Sequence, residues 1–103
     1  MGALVVRTEF LEENREAFDR FLEEYERSTQ FINEKVEEGA ALVEKYDIMP
    51  AAVAQKAIPS CNIVFIGGEE MKSSTAAFLE ILFNANPASV GGALPDDNFY
   101  YIR

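Results

Sequence analysis

The residues of this chain that could do chemistry are few, and the most suggestive are adjacent. Ser60, Cys61 and Asn62 follow Pro59 in the run IPSCNIVFIGGEEM. A hydroxyl, a thiol and an amide side by side on a loop could meet a ligand, because binding groups concentrate on loops held by a scaffold. The plainer reading of Cys61 is a buried, inert thiol. Glu12-Glu13, Glu23-Glu24, Glu37-Glu38 and Glu69-Glu70 are of the residue type used in acid–base work. That chemistry needs a desolvated pocket to drive two pKa values apart. Adjacent residues on a helix point in different directions, and these stand among other polar residues, so a solvated face accounts for them. Gly67-Gly68 leads into a helix N-terminus, a place that can hold anions, but Glu69 and Glu70 follow at once and oppose one. Asp96-Asp97 after Pro95 reads as turn chemistry.

The missing residues narrow the field further. There is no His, which removes Ser-His-Asp and Cys-His arrangements, the commonest general base and the commonest metal ligand. A single cysteine makes neither an intrachain disulfide nor a structural zinc site. No dinucleotide fingerprint, Walker loop or EF-hand loop occurs. No catalytic residue, metal or cofactor is expected, and the chain does not read as an enzyme. The net charge of −9, from 18 acidic and 9 basic residues, weighs against nucleic acid, whose affinity depends on Lys and Arg meeting phosphates. It weighs equally against anionic membrane surfaces. The apolar runs are too short to span a bilayer, so no direct membrane insertion is expected. Met1-Gly2 runs straight into ALVVR without a signal-peptide pattern and reads as an engineered start or one left by truncation. Val6 stands where a myristoylation signal wants Ser or Thr.

The elements that must position these groups centre on Thr8 to Tyr46. Phe18, Phe21, Leu22, Tyr25, Thr29 and Ile32 recur at steps of three and four, which predicts a long amphipathic helix from after Asn14 to about Glu34. Thr8 and Asn14 are candidate N-caps, with one short helical turn over Thr8 to Glu13. A break at 33–36 is followed by a helix from Val36 to Tyr46 with Val36, Ala40 and Val43 on one face. Gly39 costs that helix about 1 kcal/mol relative to Ala. Pro50 opens a helix to Ile58, with Met49, Val53 and Ala57 at helical spacing, and Pro59 stops it. Glu69 and Glu70 open a further helix, with Met71, Thr75, Phe78, Leu79 and Leu82 as its stripe, ending over 84–87. A turn or short helical loop over 88–92 and an extended, aromatic tail complete the chain. Ala3 to Arg7 reads as a short strand, and Cys61 to Ile66 as a strand or an extended buried segment. The expected class is therefore mainly α (α+β): four to five helices with one or two short strands, in a single partial domain over 1–103. The strands have no obvious partner in the chain, although isolated strands cannot satisfy their own backbone groups.

The order of these segments carries a resemblance. LVVRTEFLEEN, a long acidic helix, INEKVEEGAALVEKY, AIPSCNIVFIGGEEM and NPASVGGALPDDNFYYIR together resemble the C-terminal part of ABC-transporter solute-binding proteins of the nitrate/sulfonate/taurine (NitT/TauT-like) group. The match runs over essentially the whole chain. It is specific in IPSCNIVFIGGEEM and SVGGALPDDNFYY and generic in the helices. Arg15, where relatives often have Pro, and Gly39 depart from the pattern only locally. The resemblance implies the C-terminal part of one lobe of a type 2 periplasmic binding protein, whose two lobes close on a small organic solute and deliver it to an ABC permease. It implies an extracytoplasmic parent, periplasmic or a cell-surface lipoprotein. Ser60, Cys61 and Asn62 would be the ligand-binding candidates, and this segment alone would not hold solute. An unpaired edge and apolar helix faces also predict a homodimer or a domain-swapped oligomer. The reading that competes with transport is a stand-alone helical protein–protein interaction module.

Overall fold

The computed structural model describes residues 2–103; Met1, read above as part of the chain's opening, lies outside them. Helix accounts for 70% of the chain, so its mainly-α character is as expected. The helices are α1 (Thr8–Glu13), α2 (Arg15–Glu34), α3 (Val36–Lys45), α4 (Ala51–Ala57) and α5 (Gly68–Ala85), with 3-10 turns at Ile58–Ser60, Pro87–Val90 and Asp97–Phe99. The described residues contain no strand. This corrects both strand expectations: Ala3–Arg7 and Cys61–Ile66 have the β-branched composition of strands but nothing to pair with. A strand is a relationship between two segments, and composition supplies only one of them. The chain divides into two compact units, Met1–Phe65 and Ile66–Arg103.

In the first unit the helix boundaries follow from backbone bookkeeping. Thr8 does not cap α1; Arg7 occupies the N-cap position in an extended conformation, without a side-chain bond. Asn14 stands between α1 and α2 as expected, but its side chain works backwards. Its backbone N–H and its Nδ2 both donate to the Phe10 carbonyl, at 2.9 and 3.1 Å, closing α1 rather than capping α2. The break after α2 falls on Lys35, whose φ of −124° and ψ of 61° leave the helical region. The end of α3 is a Schellman motif. Asp47 takes φ +56°, Ile48 N–H donates to Val43 O at 3.0 Å, and Asp47 N–H donates to Glu44 O at 3.0 Å. Pro50 is the N-cap of α4 rather than a residue within it. The Glu44 carboxylate reaches across from α3 to accept from Ala51 N–H at 2.7 Å, satisfying an orphan donor where the helix dipole favours negative charge. α4 ends at Ala57, two residues before Pro59, as expected of a proline that cannot continue the ladder, and Pro59 itself lies in the 3-10 turn that follows.

The core of this unit is small and made largely of small residues. Ala40, Ala54 and Ile58 form its buried cluster, with Ile32, Val36, Val43, Ala51 and Ile63 packed against it. The predicted face of α3 is correct. On α4 the buried side is Ala51, Ala54 and, just past its end, Ile58, whereas Met49 and Val53 of the predicted stripe are exposed. Alanines on facing helices permit the close approach of α3 and α4. Gly39 serves the same purpose against α2: a methyl group at this position would run into the Ile32 side chain. Its cost in helix propensity is thus set against packing.

The second unit is α5 and what folds onto it. No residue of α5 is buried, so its expected stripe is at most half covered. At its end Asn86 Oδ1 accepts from Ala88 N–H at 3.1 Å, and Ser89 Oγ donates to Asn86 O and Leu82 O at 2.7 and 3.1 Å. Gly91, at φ +78°, then turns the chain so that Gly92 N–H reaches Pro87 O at 2.8 Å. Asp96 Oδ1 caps the last 3-10 turn by accepting from Asn98 N–H at 2.9 Å, the turn role its sequence context predicted. The tail is otherwise irregular.

Candidate functional site

Ser60, Cys61 and Asn62 lie where α4 has ended. Ser60 closes the 3-10 turn, Cys61 N–H donates to Ile58 O at 3.1 Å, and Asn62 takes φ +53°. Asn tolerates that left-handed region better than most residues, because its short polar side chain costs little there. All three are exposed, so the thiol is not the buried one that the plainer reading anticipates. None of the three makes a side-chain hydrogen bond among the described residues, and together they form an open polar corner rather than a cavity.

The chain leaves this corner with a definite seat. Asn33 Nδ2 donates to Ile63 O at 2.7 Å as well as to Thr29 O at 2.8 Å, so an α2 side chain fixes the backbone just past Asn62. Phe65 meets the edge of Tyr25, with centroids 6.1 Å apart. Tyr25 stacks on Phe21 at 5.9 Å and Phe21 on Phe18 at 6.3 Å. The predicted α2 stripe is therefore real, and it forms an aromatic ladder. Phe18 and Thr29 are buried, but Phe21 and Tyr25 are 47% and 42% exposed. Sequence reasoning identified the ladder's residues on α2 but not Asn33. An Asn at the next-to-last position of a helix carries no signal that distinguishes it from an ordinary polar position.

In the second unit a shallow groove is lined by Lys72, Ala76, Glu80, Leu94, Asp97 and Tyr100, among others. Lys72 Nζ lies 3.0 Å from Asp97 Oδ1. The hydrogen bond to Asp97 raises the Lys72 amine above its ordinary 10.5; desolvation opposes the rise, and the nearby Asp97, Glu69 and Tyr100 charges add to it. An amine held protonated is a poor nucleophile and a poor base, so this pair is a tether and not a catalytic dyad. The glutamate pairs of α1, α2, α3 and α5 all lie on solvated surfaces, and the 2.7 Å contact of Glu24 with Arg27 joins two exposed side chains. Among the described residues no group of three His, Cys, Asp or Glu could hold a metal ion. No helix is long and apolar enough to cross a membrane.

What the arrangement offers instead is apolar surface. Val5, Tyr46, Ile48, Val53 and Val64 in the first unit, and Ile81 and Phe99 in the second, are each more than half exposed. Comparison with protein-family models, with curated proteins and with solved structures finds no match.

Proposed function

We propose that this chain is the C-terminal portion of the substrate-binding component of an ABC importer for a small organic solute, and that alone it does not hold that solute. The observation that carries this reading is the exposure of large apolar side chains around a core of a few small ones. Residues cut to lie against a larger body would have that distribution. The segment order set out above supplies the nature of that body: two α/β lobes closing on a ligand, with an extracytoplasmic location and a permease as docking partner. Ser60, Cys61 and Asn62 would face the cleft of the parent, and their lack of enclosure here accords with a cleft whose other walls lie elsewhere.

Titration calorimetry of the chain against nitrate, sulfonates, amines and thiamine-precursor-like pyrimidines tests the reading. No measurable heat is expected, because closure in this class needs both lobes. Tight binding of any of these by the chain alone would overturn it. A protein interaction module is the second reading, favoured by the exposed Phe21 and Tyr25 of the aromatic ladder. The open reading frame upstream separates the two: two encoded α/β lobes belong to the first, their absence to the second.

A further inference from the structure

Ser60, Cys61 and Asn62 are exposed, so the shape of their corner has to be set from its two ends. At the near end Cys61 N–H donates to Ile58 O at 3.1 Å, and Ile58 belongs to the buried cluster. The far end is less secured. Asn62 stands at φ +53°, and among the described residues the backbone of 62–65 makes no hydrogen bond to other backbone. A left-handed residue followed by unladdered chain has other conformations open to it. Ile63 packs on the core, which fixes its side chain but leaves rotation about its Cα–C bond. Asn33 removes that freedom, because its Nδ2 takes the Ile63 carbonyl at 2.7 Å.

The chemistry of a primary amide suits this task. Its nitrogen carries two hydrogens, and both are used: one on Ile63 O, the other on Thr29 O at 2.8 Å. With two carbonyls as partners only the nitrogen can face them, so the orientation of the amide is settled by its surroundings. Thr29 lies one turn back in α2 and is buried, its own Oγ donating to Glu26 O at 2.7 Å. The amide is therefore already held by its helix when Ile63 meets it, and the second bond orders few further rotamers. The bond joins positions 30 apart in the sequence, and all of these residues lie in the first unit.

We infer that Asn33 is the positioning residue of the Ser60–Asn62 corner. By pinning the carbonyl of residue 63, whose side chain the core already pins, it leaves the corner one arrangement of hydroxyl, thiol and amide instead of several. A surface ordered before its ligand arrives loses less freedom on binding. That the arrangement serves a solute rests on the transport reading; that Asn33 sets it does not.

Backbone ¹⁵N relaxation of the 103-residue protein tests this. Order parameters of about 0.85 are expected over residues 61–64, the value of a rigid backbone. Asn33→Asp keeps the shape, removes both donors and turns a carboxylate on two carbonyls; it is expected to bring 61–64 below about 0.6, the flexible range. Ala40 and Ala54 and the helicity by circular dichroism are expected to stay as they were. Asn33→Ala removes the donors without adding charge and is expected to act in the same direction. Order at 61–64 unchanged in both variants, flexibility there already in the natural sequence, or a loss shared equally by Ala40 and Ala54 would each overturn the inference, the last because Asn33 would then support the unit as a whole. Heat from a solute in calorimetry would overturn the transport reading and leave these values untouched, so the two fail separately.

Discussion

Asp47 is the residue that stores the most readable backbone strain. It holds the left-handed C′ position of the motif that ends α3, where Gly is the usual occupant. The carboxylate has no capping bond that would compensate. Asp47→Gly relieves the left-handed cost but frees the unfolded chain, for a net gain of about 0.5 kcal/mol. The expected outcome is a Tm about 2–4 °C higher by calorimetry, with Asp47→Val, β-branched at positive φ, moving it the other way. Asn62 has the same backbone handedness in the polar corner, and Asn is the better-suited residue there. Gly39 shows how a local rule can mislead: its propensity penalty was legible in the sequence, but the Ile32 side chain that would have to shift to admit a methyl group was not.

At the scale of elements, the last 3-10 turn is tied to α5 by the side-chain pair of Lys72 with Asp97. Because the folded Lys72 amine titrates above 10.5, its contribution is fully present below the unfolded value. It is lost as pH rises through the raised folded value. Its size is small, Asp97 being almost fully exposed and the pair screened by salt. The expected outcome is an NMR titration of the Lys72 side chain with its midpoint above 10.5, returning toward 10.5 in Asp97→Asn. The elements themselves were mostly visible beforehand. The helical spacing of α2, α3 and α5 placed them within a residue or two, because period 3.6 is a property of the chain alone. The faces of α4 were misassigned for a physical reason: alanine looks neutral in a sequence, yet Ala51 and Ala54 are what let two helices touch.

The whole molecule is under-buried, with four buried apolar residues, Phe18, Ala40, Ala54 and Ile58, among the described residues of a 103-residue chain. The sequence by itself determined the helices, the acidic solvated surface and the absence of histidine, since these follow from residue type and spacing along one chain. Only the tertiary structure decided that 3–7 and 61–66 are not strands, that Cys61 is exposed rather than buried, and that Asn33 seats the chain beyond Asn62. Pairing, burial and cross-chain hydrogen bonds are relations between residues distant in sequence, and no local pattern encodes whether the second member is there.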